Sequence, residues 1–446
     1  MTETASAARR IGPLLATMLV AGNMIGSGVF LLPATLAAIG SSTIIGWVIA
    51  SGGAMLLAGV FALLAVLKPT PDGLVDYPAQ GLHPFFGFAN WLLYWLANWV
   101  SVPAVALAIT GYLSFFIPAL KEPLAGVWTT IGFIWLMTLA NVIGAKTVAR
   151  LGGMTLLIGL APIIVATVLG LLAFDADTFA AGWNVTGKPL PQAVGASLAP
   201  IFWAFLGLES ASMAAAVVKD PERNVPRAAL GGVALAAVVY MAASVALMGA
   251  IPAATLATSA APFADAIAVL AGPTAAAIIA VCAMLKAAGT LGGWILVTAE
   301  AARSGAVAGF LPRVLSSPDP ARAPVRDLIL TGLLMSTVIA SSMSPSLGKQ
   351  FAVLINIGVN LSMAMYALCA LALVSFAGQI ADPGKRLAAR AMALGGAVFS
   401  VWVVAASDPV MLPPSLWAFA ATVPIYGLVL LARRGSRRSP EARSSP

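Results

Sequence analysis

Charge is what this sequence has least of. Only 9% of its 446 residues are Asp, Glu, Lys or Arg, where a soluble globular chain carries roughly a quarter. That is too little to keep a water-facing surface wet. Histidine occurs once, as His83, and cysteine twice, as Cys282 and Cys369, each inside an apolar run. So few thiols and imidazoles give neither a disulfide framework nor metal-ligand spacing, and no cofactor is expected. HExxH, GxSxG and the P-loop are all missing, which leaves an enzyme without residues to work with. No polar block interrupts residues 12 to 432, so the chain does not divide into soluble domains.

Apolar matter fills the gap: 60% of residues are hydrophobic and the mean hydropathy is +0.97. A hydrocarbon core of about 30 Å needs about 20 apolar residues as helix. On that template twelve spans are expected, at 12–37, 42–67, 86–116, 126–145, 151–173, 195–217, 228–251, 266–302, 328–345, 350–376, 391–406 and 414–432. Barrel strands would alternate in segments of about ten residues, and these runs are continuous. The first run also outlasts a signal peptide and carries no cleavage pattern.

Net charge is +8, and its placement decides its meaning. With loops numbered alternately, 20 of the 24 Lys and Arg fall on one side, only Lys121, Lys188 and Lys349 on the other, and Lys286 inside a span. The positive-inside rule then puts both termini in the cytoplasm. The tail RRGSRRSPEARSSP reads as a topology anchor or a contact for anionic lipid rather than a nucleic-acid site. Trp47, Trp183 and Trp417, at span ends, are expected in the interfacial belts.

Helix breakers at membrane depth are tolerated only where the freed backbone groups meet protein, water or ligand. The first span holds Gly26, Ser27 and Gly28, and the sixth holds Gly207 beside Glu209. Five spans separate the two breaks, the pattern of an inverted-repeat transporter with a midplane site; close helix packing is the other reading of small residues. Glu209 and Lys286 are the only ionisable side chains deep in spans, and each needs a reason to be there. Glu209 is a proton carrier, the partner of a cationic substrate group, or a neutral acid joining two helices. Lys286 either lines an outer vestibule or snorkels to the interface. Trp203 and Trp294 lie beside the break and after a glycine pair, where an indole can close over a ligand or pack in the core. A channel would instead want rings of charge or carbonyls.

At GSGVFLLPA, LYWLA (93–97), WAFLGLESAS (203–212), NVPRAALGGV (224–233), LGGW (291–294) and SPSLGKQF (344–351) the chain resembles the amino acid, polyamine and organocation transporter superfamily, above all its basic amino acid/polyamine antiporters of the arginine/agmatine type. The resemblance covers nearly the whole chain. It implies an all-α fold with a ten-helix core at 12–376, built as inverted five-helix repeats at about 12–173 and 195–376. Helices eleven and twelve at 391–432, a cytoplasmic segment 1–11, a basic tail 433–446 and a homodimer complete the expectation. It further implies secondary exchange of amino acids or amines by alternating access, with proton symport as the variant. By similarity Gly26, Ser27 and Gly28 receive the substrate carboxylate, and carbonyls near Met24, Trp203 and Leu206 take its amino group. Trp203 gates, Trp294 stacks on the side chain, and Tyr94, Glu209 and Tyr366 form the inner gate and coupling group. Asn98 stands where the relatives have cysteine, Val102 and Gly358 where they have Asn and Ser, and Lys286 where they have a small residue. Those changes remove guanidinium acceptors, so a neutral or acidic amino acid is expected in preference to arginine.

Overall fold

A computed structural model describes residues 12–25, 27–70, 72–210, 218–312, 314–316 and 324–437. In chain order its helices are α1 (Pro13–Met24), α2 (Leu32–Ala37), α3 (Thr43–Leu67), α4 (Gly73–Gly81), α5 (Pro84–Ser101), α6 (Pro103–Leu113), α7 (Pro123–Leu172), α8 (Ala176–Ala181), α9 (Leu190–Trp203), α10 (Pro221–Ala250), α11 (Ala253–Ala257), α12 (Pro262–Ala271), α13 (Pro273–Val307), α14 (Val325–Ser341), α15 (Leu347–Phe376), α16 (Pro383–Ala406) and α17 (Leu412–Arg437). No strand occurs among the described residues. Many of these helices open on proline, whose missing N–H would have no helical partner in the first turn anyway.

Nine helices among the described residues are long and apolar enough to cross a membrane. One of them, α3, has 25 residues, about 37 Å at 1.5 Å per residue. Three expected spans fall outside that nine for separate reasons. The first is divided into α1, a 3-10 turn at Ser27–Phe30 and α2. The sixth stays helical only as α9, and residues 211–217 lie outside the described set. The ninth is α14, whose 17 residues reach about 26 Å.

Several boundaries differ from the sequence expectation. The expected span 266–302 is two helices, because Gly272 takes φ +86, a conformation that favours glycine, and Pro273 follows it. The spans 126–145 and 151–173 are borne out as two crossings within α7, Pro123–Gly144 and Gly153–Leu172, divided by a kink at Gly144, whose φ of −170° and ψ of 77° are not helical. Helices α10 and α16 start at Pro221 and Pro383, several residues before the apolar runs, since hydropathy finds the lipid-facing length and not the polar turns that extend it. Trp47 is not in an interfacial belt: it is 1% exposed and packs between Phe205 and Tyr240, with ring centroids 6.0 Å away in each case. Trp183 and Trp417 are 39% and 75% exposed, as a belt position requires. The segment 1–11 and residues 438–446 of the basic tail lie outside the described residues.

The core forms where α10 packs on α1 and α3, α13 on α7 and α6, and α15 on α5 and α16. These contacts bring the two broken segments to the middle of the bundle.

Candidate functional site

Each break leaves backbone groups that hydrocarbon would not satisfy. After α1, the carbonyl of Met24 accepts a hydrogen bond from Tyr240 Oη at 2.8 Å. Beyond the turn, the Phe30 carbonyl accepts from Tyr112 Oη at 3.1 Å, and Tyr112 in turn accepts from the Phe263 N–H at 3.4 Å. Two phenols from distant helices thus seal the interruption. Gly26 itself lies outside the described residues, and Ser27 and Gly28 are described only as the start of the 3-10 turn.

After α9 the chain runs in tight turns from Ala204 to Glu209. Gly207 takes φ +100, where a Cβ is strained. Its N–H donates to Glu209 Oε2 at 3.1 Å, and Tyr366 Oη on α15 donates to the same oxygen at 2.5 Å. Glu209 is 7% exposed. The two breaks touch: a Cβ built on Gly207 would stand 3.5 Å from the Asn23 carbonyl oxygen. Tyr366 is held edge-on by Phe61, with centroids 5.1 Å apart.

Between the breaks lies a cavity of about 70 Å³. Met24, Tyr94, Asn98, Trp203, Leu206, Glu209, Trp294 and Tyr366, eight of the residues singled out from the sequence, line it. Lys286 does not. Its side chain packs on α7, where a Cβ at Gly159 would come 2.2 Å from Lys286 Cγ. The glycine makes room for the lysine methylenes, and the residue is 6% exposed. Among the described residues lining the cavity, Glu209 is the one carboxylate and no lysine or arginine is present.

Sequence reading missed Asn23, Ser101, Thr290 and Ser362, which also line the cavity. Helical spacing was the available signal, since Ser101, Thr290 and Ser362 lie one turn from Asn98, Trp294 and Tyr366 respectively. Asn98 Nδ2 donates to the Tyr94 carbonyl at 2.8 Å, and Ser101 Oγ to the Ala97 carbonyl at 2.6 Å, which leaves their oxygens as acceptors.

Ser101 also explains Gly358. A Cβ at Gly358 would lie 2.3 Å from Ser101 Cβ, so the small residue on α15 and the hydroxyl on α5 are one steric unit. Gly358→Ser alone should therefore destabilise the protein by about 1–3 kcal/mol through overpacking. Adding Ser101→Gly should recover most of that loss. Thermal melting of the three variants checks this, and additive effects would contradict it.

A bundle of membrane-spanning helices with two apposed breaks, lining a small cavity with aromatic rings and one carboxylate in its wall, defines a multi-pass secondary transporter. The amino acid permease family model matches residues 11–430. The cadaverine/lysine antiporter of Escherichia coli (strain K12) is 36% identical over 378 residues, 84% of this chain and 85% of the relative. The putrescine transporter PotE of the same strain is 32% identical over 423 residues, 94% of this chain and 96% of the relative; PotE of Haemophilus influenzae is 31% identical over 423 residues, 94% and 97%. The chain belongs to the amino acid permease family and is a transporter, not an enzyme.

Proposed function

We propose that this protein exchanges an amino acid with an ammonium side chain for a diamine across the bacterial inner membrane. The observation that carries the reading is the lining of the cavity: two indoles, two phenols and Glu209, with no cationic side chain among the described lining residues. Such a site favours a cation, by the carboxylate and by the ring faces. Relatives named for cadaverine, lysine and putrescine support it. A lysine facing the cavity would repel a cation, but Lys286 packs against Gly159 and is not among the lining residues. Donor count still separates one cation from another. An ammonium has three donors and a guanidinium five, and each donor left unpaired costs about 1–3 kcal/mol. Asn98, Ser101 and Glu209 suit the smaller demand, with Val102 beside them offering no acceptor.

At about 70 Å³ the cavity is far below the several hundred cubic ångströms of ordinary ligand sites. Admission of a substrate requires the walls to move, which fits alternating access with Trp203 on one side and the Glu209–Tyr366 bond on the other. In this reading Gly26, Ser27 and Gly28 hold the carboxylate of the amino acid, carbonyls near Met24, Trp203 and Leu206 its α-amino group, and Trp294 the side chain. Twelve crossings follow if the two broken segments and α14 each span, with repeats at about 12–173 and 195–376, helices eleven and twelve at 391–432, lipid around them and a homodimer as the assembly.

The substrate is tested by thermal stabilisation of the purified protein with lysine, cadaverine, putrescine, arginine, agmatine, and neutral and acidic amino acids. Lysine or a diamine should stabilise more than arginine or agmatine; a response confined to neutral or acidic amino acids would overturn the reading. Orientation is tested by placing a cysteine at residue 440 after removing Cys282 and Cys369. It should resist an impermeant thiol reagent added outside intact cells, and labelling there would reverse the topology.

A further inference from the structure

A second cavity, of about 410 Å³, lies away from the substrate site between α5, α14, α15 and α17. Its walls are almost wholly apolar, with Leu96 and Trp99 on one side, Val353 and Ile357 on another and Ala418 opposite. Polar groups are few: the hydroxyls of Ser341 and Ser342 at one end, each already donating to the Val338 carbonyl, and the single indole N–H of Trp99. Water needs two to four polar partners to be held in a cavity, so this groove does not suit water. Its volume falls in the range of about 300–1,000 Å³ that binds small molecules.

Two observations identify what fills it. The helix closing its outer side, α17, is mostly exposed, with Leu416, Trp417 and Val423 at 59%, 75% and 62%. In a membrane such an apolar face meets hydrocarbon, so an acyl chain can reach the groove. Lys349, exposed and without an ion pair among the described residues, stands one helical turn before the lining residue Val353, at the end that carries the two serines. An apolar trough that ends at a free cation matches an acyl chain that ends at a phosphodiester.

We propose that this groove is a phospholipid site, with one acyl chain between α5, α14, α15 and α17 and the phosphate against Lys349. It stands apart from the substrate cavity, so it does not depend on which amine is carried. A second copy of the chain would cover α17 too, but a flat helix face needs no deep trough and no cation at its end.

Native mass spectrometry of the full-length protein, after extensive washing in detergent, tests the site. The wild type should retain one phospholipid per chain and recover it from added phosphatidylglycerol or phosphatidylethanolamine, while inorganic phosphate should not compete. Val353→Trp, which fills the groove, should lose the lipid yet keep its substrate-induced thermal stabilisation. Ala418→Phe approaches from the opposite wall and carries the test if Val353→Trp does not fold. Lys349→Gln should lower retention several-fold, most for the anionic lipid. Equal lipid in the wild type and both filled variants would overturn the proposal. So would a change from dimer to monomer in the filled variants with lipid content unaltered, which would make the groove a protein interface.

Discussion

Glu209→Gln is expected to weaken cationic substrate binding about 10- to 150-fold. A hydrogen bond to a charged partner contributes about 1.5–3 kcal/mol, and each 1.4 kcal/mol is a factor of ten. The amide oxygen of glutamine can still accept from Tyr366 Oη and the Gly207 N–H, as the carboxylate does. The fold should therefore survive and the loss should report the charge. Because glutamine does not titrate, the pH dependence of uptake should flatten as well. Measuring binding and uptake against pH for the purified variant separates these effects. An unchanged pH profile would remove Glu209 from coupling, and unchanged affinity would remove it from the site.

Gly207→Val should abolish uptake although the Glu209 side chain itself is unaltered. The φ of +100 at this position is a genuine outlier for a β-branched residue, and holding it costs about 1–3 kcal/mol. Clash is not the reason, since a Cβ would meet the Asn23 carbonyl oxygen at 3.5 Å, an ordinary contact. The strain relaxes only by turning the backbone, and that moves the N–H that Glu209 Oε2 accepts from and swings a carboxylate two residues on. Gly207→Ala should be milder, with reduced stability and partial uptake. Melting and uptake of both variants check the order; full activity of Gly207→Val would show that the break is not conformationally fixed.

The break at Gly207 and the placing of Glu209, Trp203 and Trp294 on the cavity wall are legible because each is a local violation of what a membrane helix should contain. A glycine, a carboxylate and mid-span indoles stand out against an apolar run without reference to any other part of the chain. Lys286 broke the same rule and was misplaced, because its accommodation depends on Gly159, which lies on another helix and has no sequence signal linking it to the lysine. Ser101 and Gly358 form the same kind of unit: the loss of a serine on α15 reads as a lost ligand group until the hydroxyl across the interface is seen. Tyr240 and Tyr112 were silent for a further reason. Nothing in a span's composition says which distant carbonyl its tyrosine will satisfy. Trp47 sits near a span end and obeys the interfacial pattern, yet Phe205 in the turns after α9 and Tyr240 on α10 cover it. Local chemistry therefore marked the site, and long-range side-chain packing decided which of the marked residues reach it.

Counterflow in proteoliposomes tests the central claim most directly. Vesicles holding the purified protein are loaded with unlabelled cadaverine or left empty, and entry of labelled lysine is followed at zero membrane potential. An exchanger working through this cavity should take up lysine well above the empty-vesicle rate, and Glu209→Gln should remove the difference. Equal uptake by loaded and empty vesicles, or acceleration by neutral amino acids alone, would contradict it.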